Sequence, residues 1–259
     1  MKKDIVRQWV NVAALVVVLV VNGLANALPI NAQTTGAISD RFEIFFVPAG
    51  YVFSIWGLIY LALIGFVVYQ ALPGQRENPR LRRVGYLFAL SCAANVAWIF
   101  LWHYEQFPLT LVAMVVLLVS LIAIYLRLGI GRTPVSAAER WLVRVTFSIY
   151  LGWITVATIA NVTQVLDYLN WGAWGIGAET WTVIMLATAT IITAAVLFTR
   201  GDVAYALVIV WAVVGIAVKH ADATIVTTAA WAAAGAVVLL SAVRLWLSRR
   251  PQLPPQRTM

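Results

Sequence analysis

Residues 148–161 read Ser-Ile-Tyr-Leu-Gly-Trp-Ile-Thr-Val-Ala-Thr-Ile-Ala-Asn, with neither charge nor proline. The apolar character extends to about 141–166, longer than the roughly 20 residues a helix needs to cross a ~30 Å hydrocarbon core. The stretch is therefore read as part of a transmembrane helix. It is not uniform lipid-facing filler. On a 3.6-residue period Trp153, Ala157 and Asn161 fall at i, i+4 and i+8, stacked on one face. That face offers a flat ring, a gap and an amide, and it wants a partner, whether another helix or a ligand.

The rest of the chain has the same character. It is 63% hydrophobic and 11% charged over 259 residues, where a soluble domain would carry about 25% charged residues. Eight candidate spans follow, at about 9–28, 51–72, 84–103, 107–129, 141–166, 181–199, 203–219 and 224–247. The fold class is an all-α, polytopic transmembrane helical bundle, and no stretch is left for a soluble domain. Consecutive helices are expected to pack as antiparallel neighbours, because most connections are short. The longest connection is 29–50. Pro48, Pro73, Pro79, Pro108 and Pro134 lie between spans or at their edges, where no interior helical hydrogen bond is lost. Cys92 is the only cysteine, so neither an internal disulfide nor a thiolate cluster can form.

Charge sets the expected orientation. Of 18 Lys and Arg, only Arg41 and Lys219 fall on the side opposite the termini, and the asymmetry alternates loop by loop. Both termini are expected in the cytoplasm and the protein in the cell membrane. The net charge of +8 then reports topology and attraction to anionic lipid, not nucleic-acid binding. Lys2, Lys3 and Arg7, the apolar run after Val10 and Ala25-Asn26-Ala27 also resemble a secretory signal with its cleavage site. The preferred reading keeps this segment as the first span.

Several of the 12 tryptophans, among them Trp9, Trp102, Trp141, Trp171, Trp174, Trp181 and Trp246, lie near span ends and are read as headgroup anchors. Trp56, Trp98, Trp153, Trp211 and Trp231 lie deeper. Three places hold a pattern around the deeper rings: Pro48-Ala-Gly-Tyr-Val-Phe-Ser-Ile-Trp56 with Tyr60, Asn95-Val-Ala-Trp98, and Tyr150-Leu-Gly-Trp153 through Asn161. In that order, on the second, third and fifth spans, they resemble the tryptophan-rich sensory protein or translocator protein (TspO/MBR) family.

The resemblance implies a translocator-like five-helix bundle over 1–170. Three further helices over 171–248 and a disordered cytoplasmic tail over 249–259 would be additions to it. It also implies binding of a hydrophobic ring compound, typically a porphyrin, at Trp56, Asn95 and Trp153, with Trp98, Ala157 and Asn161 beside them and Pro48 in the overlying loop. No cofactor is required on this reading; a porphyrin or haem enters only as ligand. Partners would be membrane lipid, the small ligand and, as a homodimer, a second copy. Two departures stand out. Val47 replaces the family's usual second proline before Pro48, and no basic residue closely follows Tyr168, which removes the proposed sterol pattern.

Counting residues from the span ends places Trp56 and Asn161 at ~8 Å and Asn95 at ~12 Å from the outer boundary, with Trp153 near ~20 Å as a floor. Asn22 and Asn26 can join them. From the residues alone two readings compete. The amides are inter-helix cross-links of about 1–2 kcal/mol or less each, or they orient a planar ligand between aromatic walls. His103 and His220 are taken as interfacial residues, not haem ligands. The acidic residues all fall in loops or at span edges, which argues against ion-coupled transport. No catalytic residues and no metal site are expected, and the chain is not read as an enzyme. Passive movement of lipid or porphyrin, and light- or oxygen-dependent porphyrin breakdown, remain as alternatives.

Overall fold

The computed structural model describes residues 2–28 and 30–249; the expected tail lies, from residue 250 on, outside the described residues. Every regular element among the described residues is helical. In chain order they are α1 (Lys2–Ala27), α2 (Thr35–Ser39), α3 (Ile55–Ala71), α4 (Pro79–Val84), α5 (Leu87–His103), α6 (Phe107–Arg127), α7 (Ala137–Glu139), α8 (Thr146–Tyr168), α9 (Ala178–Arg200), α10 (Val203–Lys219) and α11 (Thr224–Arg249). Six helical segments are long and apolar enough to cross a membrane, and α5 and α10 are apolar but shorter. At 1.5 Å per residue each of the shorter two spans about 25 Å, near the lower limit.

Local chemistry sets the helix ends. Thr34 Oγ1 accepts from the Ala37 amide at 3.2 Å and starts α2. Asn78 and Pro79 open α4, and Ser136 Oγ accepts from Glu139 N to open α7. Gly201, at φ 65°, closes α9 in the left-handed conformation that glycine tolerates. Asp202 immediately caps α10, its carboxylate accepting from Tyr205 N at 3.1 Å.

The first five long helices close a ring: α1 packs on α3 and α5, α5 on α6, α6 on α8, and α8 back on α3. Simple succession is broken here, because α1 and not the next span separates α3 from α5. Helix α10 lies against the outside of α8, with α9 and α11 behind it. One buried apolar cluster runs through both parts, from Leu15 to Ala234. Gly152 permits the close seat of α10, since a Cβ there would meet Tyr205 O and Val208 Cβ at 3.1 Å.

The two ends of the ring differ. At the end that carries the basic loops, Phe66, Phe88 and Phe147 meet edge to face at 4.9–6.1 Å between centroids. Each is at most 1% exposed, so that half of the ring is solid. Arg80 reaches Glu139 through two hydrogen bonds of 2.5 and 2.8 Å and ties α4 to α7. The Glu139 bond lifts the Arg80 guanidinium further above its ordinary range.

At the other end the connection over residues 30–50 folds down over the ring. Ile38 and Phe46 are fully buried. Trp102 Nε1 donates to Thr35 O at 3.2 Å and Gln164 Nε2 to Ser39 Oγ at 3.2 Å. Glu105 accepts from Gln33 and Arg41, each at 3.0 Å, and these contacts hold its carboxyl below the ordinary range. The connection is a built cover, not a slack loop.

Candidate ligand cavity

Beneath this cover the ring encloses a cavity of about 420 Å³, within the ~300–1,000 Å³ typical of small-molecule sites. Pro48, Trp56, Asn95, Trp98, Trp153, Ala157 and Asn161 all line it, and so do Asn22 and Asn26. The structure thus brings every expected site residue to one place. The lining reaches the surface at Gly36, Asp40 and Gly50, which are exposed. Lys and Arg are absent from the described lining, and Asp40 is its one formally charged side chain.

The walls are aromatic. Trp153, on α8, stands edge to face with Trp56 at 6.2 Å and with Phe53 at 5.7 Å. Trp56 also stacks on Tyr60 at 5.4 Å, and Trp98 on Trp102 at 5.1 Å with 15° between planes. Such pairings are the geometries ring quadrupoles favour. Counting along the spans had put Trp56 and Trp153 about 12 Å apart in depth. In the structure their rings nonetheless meet at 6.2 Å between centroids, and the segment before α3 is buried, with Val47 and Val52 at most 3% exposed.

The amides turn out to be largely occupied. Asn22 Nδ2 donates to Asn95 Oδ1 at 2.8 Å and to Val18 O at 2.9 Å, joining α1 to α5. Asn161 Oδ1 accepts from Trp98 Nε1 at 3.3 Å while its Nδ2 donates to Thr110 Oγ1 at 2.9 Å. Thr110 sends its own hydroxyl proton to Phe107 O at 2.6 Å. Asn161 is thus a cross-link between α5, α6 and α8, and it faces the cavity with both ends satisfied. Among the described lining residues, Trp153 has its Nε1 buried and without a hydrogen-bond partner. A buried N–H without a partner costs about 1–3 kcal/mol.

Other lining residues escaped the sequence reading. Its place at a span end predicts a headgroup anchor at Trp102, yet the residue is 1% exposed. The signal was present, since it follows Trp98 by one helical turn. Phe53 follows from no periodicity, because it sits on the 3₁₀ turn Gly50–Ser54. The histidines stay out of the site. His103 is fully buried with Nδ1 2.8 Å from Ile99 O, and His220 packs edge-on against Phe45 at 5.2 Å. Burial lowers the His220 pKa from its ordinary value. Among the described residues no cluster of His, Cys, Asp or Glu could hold a metal ion.

Comparison with known proteins identifies a family. No curated protein and no solved structure gives a significant match. The profile of one family, described as TSPO-like protein, matches residues 8–243. The match spans the whole five-helix ring and continues through α9 and α10 well into α11. Both the aromatic cavity residues and the helices packed behind them fall inside it. The chain, a multi-pass membrane protein, belongs to the TSPO-like protein family.

Proposed function

We propose that the protein is a membrane receptor that binds a hydrophobic ring compound in the covered cavity, and that the compound is a porphyrin or related tetrapyrrole. The observation that carries this reading is a cavity of about 420 Å³ walled by Trp56, Trp98 and Trp153, with one buried indole N–H left unpartnered. Flat rings suit a planar ligand, and Trp153 Nε1 would donate to an acceptor at its edge. Family membership supports a sensor- or transporter-type membrane protein and a non-enzymatic role; the tetrapyrrole comes from the motif resemblance. The fixed Asn22–Asn95 and Asn161–Thr110 bonds would hold the walls apart before ligand arrives, which lowers the cost of ordering the site. In the cell membrane both termini would face the cytoplasm, because the basic loops share their side.

Titration of the purified protein with protoporphyrin, followed by tryptophan quenching, tests the site. The double variant Trp56→Phe, Asn95→Ala is expected to weaken binding about tenfold or more, in line with the loss of roughly 1.4 kcal/mol or more of contacts. Unchanged affinity in that variant would show that the ligand binds elsewhere. Trp153→Phe keeps a ring but removes the free donor, and a several-fold loss is expected from a hydrogen bond worth about 1 kcal/mol.

A further inference from the structure

Helix α10 lies outside the ring, yet it touches the cover directly. Gly215 O accepts from Ala49 N at 3.1 Å. A Cβ at position 215 would meet Val52 Cγ2 at 2.2 Å and Pro48 Cβ at 3.0 Å, so the cover rests directly on the helix backbone. One turn earlier, Trp211 Nε1 donates to Val52 O at 3.0 Å and its ring stands against Tyr51 at 5.4 Å. Lys219, at the end of the helix, reaches Asp40 at 3.3 Å. The segment held in this way contains Pro48, Gly50 and Phe53, all of which line the cavity.

We infer that α10 positions one side of the cavity mouth, with Gly215 and Trp211 as positioning residues that set how readily the cavity opens. Close packing around the rest of α10 gives it the stiffness this needs. Ala206, Ile209, Ala212, Val213 and Ile216 are at most 1% exposed, and α8, α9 and α11 back the helix. An atom added at Gly215 therefore displaces the 48–54 segment more easily than it displaces α10. Moving that segment takes Phe53 away from Trp153 and parts Gly50 from the Gly36–Asp40 side. Helices α9 to α11 would then act on the ligand site without contributing a residue to its lining. The last step rests on the proposed ligand reading; the mechanical step does not.

The test uses the full chain with Cys92→Ala and Ala157→Cys, so that maleimide labelling reports access to the cavity with no ligand present. Gly215→Ala is expected to raise the labelling rate about fivefold, and Trp211→Phe about twofold, the range expected from losing one or two hydrogen bonds. Gly235→Ala, on α11 where an added Cβ meets nothing within 4 Å, should leave the rate at that of the parent. Protoporphyrin dissociation, measured without the two cysteine changes, should accelerate in the same order. Unchanged labelling in a Gly215→Ala protein with a normal melting transition overturns the inference. If Gly215→Ala does not fold, Trp211→Phe decides instead, since it adds no atoms, and unchanged labelling there overturns it equally. Faster labelling in a protein that binds no protoporphyrin upholds the positioning role and refutes the ligand.

Discussion

Ala157 stands one helical turn from both Trp153 and Asn161, and its methyl group is all that separates ring from amide on the cavity face of α8. Ala157→Leu would fill part of the cavity from a half-buried position. Protoporphyrin affinity is expected to drop about tenfold or more, as when added side-chain volume costs 1–3 kcal/mol, while the melting temperature changes little. A variant that no longer folds would mark position 157 as helix packing and not as space for a ligand. At this scale the sequence was informative about which residues meet. Period and motif together collected Trp56, Asn95, Trp98, Trp153, Ala157 and Asn161. What they could not carry is which polar ends remain free. That depends on the residue across the interface, such as Thr110 for Asn161, and no local pattern names it. Trp102 departs from its expected headgroup position for a related reason: a tryptophan at a span end is buried or exposed according to what folds over it.

At the scale of elements, α10 depends on Asp202. Its carboxylate caps the helix and also accepts from Tyr125 Oη at 2.9 Å and Ser148 Oγ at 2.5 Å. One buried side chain thus pins the end of α10 to α6 and α8. Asp202→Ala removes the cap and strands two hydroxyls, for an expected loss of about 2–4 kcal/mol. Thermal unfolding in detergent would show it, and a melting temperature within a degree of the parent would mean that the cluster carries no stability. Helix positions were legible from apolar length and proline placement, because a lipid-spanning segment must satisfy its backbone internally. The order of helices around the ring was not. Short connections suggest succession, but the contact that seats α10 on α8 is decided by Gly152 and Tyr205, far apart in the chain.

For the whole molecule, the segregation of basic loops predicts its orientation. In a Cys92→Ala background, Glu43→Cys should react with a membrane-impermeant thiol reagent applied to intact cells, and Glu77→Cys should react only after permeabilisation. The reverse pattern would invert the molecule and move the cavity to the cytoplasmic side. In either orientation the rings of Phe66, Phe88 and Phe147 carry a consequence for traffic. They make the cavity a cul-de-sac. For the proposed guest, that end offers a way out only if three buried rings part, at about 1.5–3 kcal/mol each. On that reading arrivals and departures would share one doorway, and occupancy would follow the supply of guest on that side of the membrane.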